Sequence, residues 1–465
     1  MEGENVITKT TTNRGNPAII YDGYLFWKQK VNKKDEVLWR CSVRSCKTSL
    51  KTDIDTTRVL VINTEHNHPA SERKVERHEI RKQVQTLATA SLNARPSTVI
   101  QQVLQTSRED NLERSDLKSL TMAAYRSRRK LMPCIPKSKQ DVHESLPDFN
   151  TQTSKEESFV LYNDAETGII IFSCNTNLQC LADVSDVFMD GTFKCCPKFF
   201  AQLYTLHGYK NGNYVPLLYM LLPGKSENVY RQAFEIIIKK CSDSGLTFSP
   251  SVFHIDFESA VIKVVKQMFP NAQLQLCRFH LGQSWYRHIQ EYHLAQDYKS
   301  KTPIGKWLHL TFGLHFLPPA QVGSAFADII MHEMPENHEN CTKYADYLTE
   351  TYIDVDSTFP PHLWAEVPSV EKRTNNGPEA FHRHFNATIK TPHPNIGQFL
   401  DFILKLQTTT YIKIRWIDQP ALMRKEHREK MEAAVDTHAR FQSGELDLRH
   451  YMAAMGHSFQ AVTNL

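Results

Sequence analysis

The hydrophobic pattern changes character along the chain. Between residues 21 and 68, short aromatic and β-branched clusters (Tyr24-Leu-Phe-Trp27, Val37-Leu-Trp39, Val59-Leu-Val-Ile62) are broken by Asp-Gly and Asn-Lys-Lys-Asp. Such clusters between turn signals predict three or four short strands. From residue 71 to 130 the spacing turns helical. Val75, Ile80, Val84, Leu87 and Ala88 form one stripe, Val99, Val103 and Leu104 a second after Pro96, and Leu117, Leu120 and Ala124 a third. Residues 133–156, rich in Pro, Lys, Ser, Asp and Glu, read as a linker. Strands and helices then alternate. The run Val187-Phe-Met-Asp190-Gly-Thr-Phe193 has strand composition, and Ala201–Tyr209 with Tyr214–Leu222 flank a Lys-Asn-Gly-Asn turn, predicting a hairpin. A helix striped by Tyr230, Phe234 and Ile237, a strand over 251–258, a helix striped by Val261, Val264 and Val265, and a fifth strand over 272–280 follow, leading into a helix around 283–291. This order predicts a mixed α/β sheet with helices on its faces. It puts Asp190 within the first strand and Asp256 near the C-terminal end of the fourth. From Ile396 onward Phe399, Ile403, Leu404 and later Met431, Ala434 and Phe441 predict a helical tail.

Composition adds class and compartment. With 41% hydrophobic and 23% charged residues the chain is an ordinary globular one. No apolar run reaches eighteen residues and the first twenty are polar, so neither a membrane partner nor a signal peptide is expected. The ten cysteines are scattered, which in an intracellular setting leaves metal binding or packing as their roles. The net charge of +4 conceals an asymmetry: residues 1–140 carry 26 Lys and Arg against 15 Asp and Glu, the remainder 29 against 36. A basic front end suits a polyanion, and double-stranded DNA is the partner expected. For the run Arg126-Ser-Arg-Arg-Lys130 the other reading is local: cations in a last turn complement the helix dipole and stay in water.

Cys41 and Cys46, followed by His66 and His68, supply four ligands of the kind a tetrahedral zinc takes. On extended backbone, residues i and i+2 point the same way, so both histidines can reach one ion. A β unit this small needs such a staple. Together with Tyr24-Leu-Phe-Trp27 and Trp39-Arg-Cys41, these residues resemble a FLYWCH-type zinc finger, a module that binds DNA or protein partners. The resemblance implies a closed structural zinc on Cys41, Cys46, His66 and His68.

Asp190 is an acid inside a run otherwise fit for burial, costly unless paired, protonated or metal-bound; Asp-Gly is also a common turn. Asp256 closes a second apolar strand, and two carboxylates on neighbouring strands suit Mg²⁺ or Mn²⁺. A third acid is offered by Asn375-Asn-Gly-Pro-Glu379-Ala-Phe-His-Arg-His-Phe-Asn. There Pro378 suits a helix start, Ala380, Phe381, His384, Phe385 and Ile389 form a buried stripe, and Asn375, Asn376, Glu379, His382 and Arg383 share a polar face. A glutamate near a helix N-terminus is also favourable with no further role.

The motifs Asp190-Gly-Thr-Phe, Asp256-Phe-Glu, Cys277-Arg-Phe-His280 and Thr374-Asn-Asn with Glu379 occur in the order of the Mutator-like (MULE) transposase domain, which this stretch resembles over roughly 185–390. The resemblance implies an RNase H-like fold, catalytic acids Asp190, Asp256 and Glu379 holding Mg²⁺ or Mn²⁺, and a helical insertion about 282–373. Cys277 and His280 match the Cys-x-x-His element of such domains; as metal ligands their candidate partners are His288, His382 and His384. His207 and His254 read as packing or hydrogen-bonded residues. The expected layout is a finger over 15–70, a basic helix-turn-helix-like connector over 71–132, the linker, a transposase domain over 157–395 and the tail over 396–465. The expected protein is a nuclear DDE-type DNA transposase that binds DNA and assembles as an oligomer. The alternative is a non-mobile, domesticated DNA-binding regulator, which the lack of any cysteine after Cys341 leaves room for.

Overall fold

The computed structural model describes residues 6–12, 15–92, 94–107, 111–131, 135–300, 302–369, 376–389, 392–421 and 425–458, without the side chains of 376–379 and 427. The chain divides into two compact units, residues 1–133 and 134–465.

The first unit opens with an antiparallel sheet of six strands in sequential order: β1 (Thr8–Thr11), β2 (Pro17–Tyr21), β3 (Tyr24–Val31), β4 (Val37–Cys41), β5 (Ser49–Thr52) and β6 (Val59–Asn63). The aromatic clusters thus mark only part of the sheet. One face buries Ile19, Phe26, Trp39 and Leu50; the other buries Ala18, Ile20 and Leu25 against Val75. Val75 belongs to α1 (Glu72–Ala90), which with α2 (Pro96–Thr106) and α3 (Arg114–Leu131) closes a second core of Ile80, Val84, Ala88, Val99, Val103, Leu120 and Ala124. Leu117, expected in this stripe, is exposed.

Arg128 departs from both sequence readings of the basic run. It is buried, donating from Nε to the Ala88 carbonyl at 2.9 Å and from one terminal nitrogen to the Ser91 and Ala94 carbonyls at 2.7 and 2.8 Å. Those oxygens lie at and just beyond the end of α1, where helical carbonyls lack partners.

The second unit holds a seven-stranded mixed sheet in the order β13-β12-β9-β10-β11-β8-β7. Its strands are β7 (Val160–Asp164), β8 (Ile169–Phe172), β9 (Asp186–Thr192), β10 (Gln202–Lys210), β11 (Asn213–Leu222), β12 (Val252–Ile255) and β13 (Gln273–Leu276). Two strands, β7 and β8, precede the one bearing Asp190, so Asp190 lies on the third strand of this sheet and not the first. The hairpin β10–β11 turns on Asn211 and Gly212, both at positive φ (50° and 80°), as a two-residue turn requires. Strands β9 and β12 run parallel, with Asp186 opposite Val252 and Phe188 opposite His254.

The helices are α4 (Lys139–Ser145), α5 (Asn175–Asp183), α6 (Glu227–Asp243), α7 (Ser259–Met268), α8 (Arg278–Glu291), α9 (Ala295–Tyr298), α10 (Pro303–Thr311), α11 (Pro319–Ala325), α12 (Glu339–Leu348), α13 (Asn376–Thr388), α14 (Ile396–Arg415), α15 (Lys425–Gln442) and α16 (Leu448–Ser458). Alternation along β8 separates the two layers. Ile169 and Ile171 join a core shared with α5–α8, Trp285 of α8 among them, and with the segment after α8 that contributes Trp307, Tyr344 and Trp364, while Ile170 and Phe172 join a core with Phe385, Phe399 and Ile403. The composition of 133–156 suggested a linker, yet α4 and the turn after it bury Val142 and Leu146 in that second core. The helices after Ile396 are likewise core elements: Phe399 and Ile403 pack on the sheet, and Tyr451 and Met452 enter the first layer.

Candidate functional site

In the first unit, β4 delivers Cys41, the loop before β5 delivers Cys46, and the segment after β6 delivers His66 and His68. Their ligand atoms lie within 4.8 Å of one another, with Cys41 Sγ 3.3 Å from His68 Nε2 and Cys46 Sγ 3.4 Å from His66 Nδ1. Metal–sulfur and metal–nitrogen bonds of about 2.3 and 2.0 Å at a tetrahedral angle give edges of about 3.5 Å, so the donor set fits zinc. The rings are held from outside. Tyr24 stacks on His66 with centroids 3.5 Å apart, and His68 donates from Nδ1 to the Pro69 carbonyl at 3.0 Å, turning the Nε2 lone pair toward Cys41. Burial pushes the Cys46 thiol up, but hydrogen bonds from Thr48, Asn67 and His66 outweigh it and bring it down to about 6, favouring the thiolate.

In the second unit, Asp190 lies in β9 and Asp256 follows directly on the end of β12, the parallel strand paired with β9. Asp190 sits in strand, not in a turn. Gly191 beside it is closely packed: a Cβ there would come within 3.0 Å of Gln202 Oε1 and Tyr204 Cδ2. Each acid has a histidine. His382 Nδ1 lies 2.6 Å from Asp190 Oδ2, and His280 Nδ1 lies 2.6 Å from Asp256 Oδ1. His382 continues through Nε2 to Thr205 Oγ1 at 3.1 Å, and Thr205 meets His207 Nε2 at 3.0 Å. The acids also interact directly and split. Burial raises Asp190, but the His382 hydrogen bond and charge overcome it and hold the group below the usual carboxylate range. Burial together with the Asp190 charge raises Asp256 despite His280. Burial alone would lower His280; its bond to Asp256 and the neighbouring Cys277 push it up to about 12.

Glu379 belongs by its backbone to α13, one turn before His382; its side chain lies outside the described residues. The inward histidine of α13 is His382, whereas His384, assigned to the buried stripe, is exposed. Ala380 is exposed too, while Phe385 and Ile389 are buried as expected. The fifth strand stops at Leu276, with Cys277 capping α8 and His280 in its first turn. The third member of their cluster, within 4.8 Å, is Asp256. His382 sits on Asp190 and His288 stacks on Tyr347 at 3.7 Å, so neither is the partner expected of them. His207 and His254 are hydrogen-bonded or ion-paired packing residues as read, the latter stacked on Phe188 and 3.2 Å from Asp186.

Beside Asp256, Glu258 accepts from the Tyr230 hydroxyl at 2.7 Å, Gln202 donates to that hydroxyl at 2.5 Å, and Lys225 lies 3.5 Å from Glu258. Sequence reasoning had no handle on this network. The only local signal was the acid two residues after Asp256.

Comparison with known families now adds to this geometry. Residues 9–68 match the FLYWCH zinc finger domain, and residues 187–284 match the MULE transposase domain. The MULE match contains Asp190, Asp256, Cys277 and His280 and ends before α13. The FLYWCH match contains all four thiol and imidazole ligands, the group that can hold the structural zinc of such a finger. No curated protein matches the chain. Among the described residues no helix is long and apolar enough to cross a membrane.

Proposed function

We propose that the second unit is a DDE-type transposase core with an RNase H-like sheet, and that the first unit binds double-stranded DNA through the finger and the basic helices beside it. The observation that supports this reading is the meeting of Asp190 on β9 with Asp256, the residue that follows the neighbouring parallel strand β12, close enough to interact directly, with α13 packed against β9 and bringing Glu379 to within a turn of His382. Strand, hairpin, helix, strand, helix, strand (β9, β10–β11, α6, β12, α7, β13) is also the order that the hydrophobic pattern predicts.

Asp190, Asp256 and Glu379 would hold Mg²⁺ or Mn²⁺. Facing carboxylate oxygens are the hard donors these ions take, and the bound ions would supply Lewis-acid activation of water or a DNA 3′-hydroxyl and stabilisation of the leaving oxygen. The protein's own part is positioning. His382 fixes the orientation of Asp190 and is itself fixed by Thr205; His280 stands 2.6 Å from Asp256 as its counter-group. Because these histidines are hydrogen-bonded from the other side or seated in a helix, the acids are held with little freedom to lose on binding. Oligomeric assembly on DNA ends and a nuclear location belong to the same reading.

Replacing Asp190 by Asn is expected to lower Mg²⁺-dependent cleavage of element-end DNA by at least about 10³-fold, a barrier increase of about 4 kcal/mol, with DNA affinity unchanged. Cleavage that survives Asp190→Asn would refute the assignment of the acids. A second reading, a DNA-binding regulator derived from such a transposase, draws on the same pairs: both acids already have histidine counter-groups, and Asp190 is only 7% exposed. Wild-type protein that binds DNA but cleaves with neither Mg²⁺ nor Mn²⁺ would decide for the regulator.

A further inference from the structure

The first unit contains a cavity of about 580 Å³ between the outer face of the sheet and α1 and α3. That is within the range of about 300–1,000 Å³ typical of small-ligand sites. Its walls carry Trp27, Arg44, Lys74, Arg77, Arg81 and Asp116. The cations are not balanced. The one carboxylate, Asp116, is buried and already taken by Arg77 and, at 3.9 Å, by Arg73. Arg44, Lys74 and Arg81 have no carboxylate partner among the described residues. Lys74 reaches only the Ser42 hydroxyl at 2.8 Å and Arg81 only Ser119 at 2.9 Å. Arg81 Nε is buried with no hydrogen-bond partner among the described residues. Arg81 is half-buried, and such a guanidinium without counter-charge is costly; a bound anion relieves that cost, and the exposed Arg44 and Lys74 at the rim add to its attraction.

Trp27 makes the cavity more than an anion trap. It lies on the outer face of β3, paired with Ala18 on one side and Arg40 on the other, and its large side chain is 41% exposed at the cavity wall. A flat aromatic surface beside unpaired cations is the pairing that recognises a phosphate attached to a planar base. A carboxylate ligand would use the cations and leave the indole unused. The backbone of intact duplex would skirt a recess of this kind, because its bases are stacked inside the helix.

We propose that this cavity binds a single unpaired nucleotide, its phosphate on Arg44, Lys74 and Arg81 and its base against Trp27. The nucleotide can be a free 5′-monophosphate or the exposed end of a strand, since both present the same chemistry. The site is distinct from the carboxylate site and does not depend on catalysis there.

The test uses the full, zinc-loaded chain. Binding of adenosine 5′-monophosphate, adenosine, inorganic phosphate, a 5′-phosphorylated single strand and a blunt duplex would be measured by calorimetry and by anisotropy of labelled strands. Adenosine monophosphate is expected to bind at least about tenfold more tightly than adenosine or phosphate alone. Trp27→Ala and Arg81→Gln should each weaken it about tenfold, the scale of one lost base–aromatic contact. Zinc content and circular dichroism of the variants establish that they are folded, and Arg44→Gln, on an exposed loop, serves as a third variant. A strand that binds more tightly than the mononucleotide identifies a strand end as the ligand; equal affinity identifies the free nucleotide. Phosphate binding as well as the nucleotide, or Trp27→Ala leaving affinity unchanged in folded protein, would overturn the proposal. Asp190→Asn should bind as wild type does, so a failure here is separable from failure of the transposase reading.

Discussion

The two clusters of ligating side chains are built in different ways. In the first unit, two thiols and two imidazoles converge from three places in a small sheet and face one another; the supporting contacts, from Tyr24 and Pro69, fall on the outside of the cluster. In the second unit, two hard donors meet where β9 and the end of the parallel strand β12 lie side by side in a large core, and each already holds a histidine at 2.6 Å. The difference follows from what each unit can bury. The finger sheet has a core of about seven buried residues on its ligand-bearing face, so few that a unit of this size calls for a staple such as a bound metal. The mixed sheet is stable through its two apolar layers, so its acids can be kept as a charged site whose cost is met by internal hydrogen bonds.

The largest test of that contrast is metal removal. Chelation, or Cys46→Ser, should unfold the sheet over residues 17–63, since structural zinc contributes about 10–16 kcal/mol to finger peptides at neutral pH. Hydrogen exchange is expected to show protection lost there and retained in the strands of the second unit; protection kept in both would mean that the finger does not need its ion.

A smaller effect probes the helices beside the finger. Arg128→Met should cost about 2–4 kcal/mol in denaturant unfolding of the first unit, because three carbonyls lose a charged donor. A cost below about 0.5 kcal/mol would return Arg128 to the status of a surface cation.

The smallest concerns pH in the second unit. Burial, with the charge of His382 adding to it, lowers His207 to about 3. An unfolded histidine takes its proton near pH 6.5, so between about 6.5 and 3 the unfolded chain binds more protons. The stability contribution is therefore complete above about pH 6.5 and is lost as pH falls toward 3. His207→Gln should narrow the difference in unfolding free energy between pH 7 and 4.5 by about 2 kcal/mol, independently of zinc. In the finger, acid sensitivity should instead follow zinc release. An unchanged gap in the variant would locate the acid sensitivity elsewhere.

Much of this was legible without coordinates where the signal is local. Helical stripes located α1, α2, α6 and α7, the Lys-Asn-Gly-Asn turn fixed the hairpin, and ligand spacing picked out the four finger residues. Where a partner is far off in sequence the reading failed. The strand pair Val160–Asp164 and Ile169–Phe172 went unnoticed because Ile169–Phe172 is a four-residue apolar run buried on both faces, without alternation, and Val160–Asp164 is a half-buried edge strand. His384 was chosen over His382 because periodicity gives the spacing of a helix face without saying which acid waits opposite it.

By itself, the sequence determined the kinds of donor available, their order along the chain, and the helix and strand periods that carry them. Tertiary structure alone decided that Asp190 meets a histidine 192 residues away, that Arg128 turns inward to close α1, and that Trp27 shares a cavity with unpaired cations. The physical reason is common to all three. A residue's own propensities act over a turn or a strand, whereas burial, desolvation and charge pairing are set by whichever element packing brings across from it.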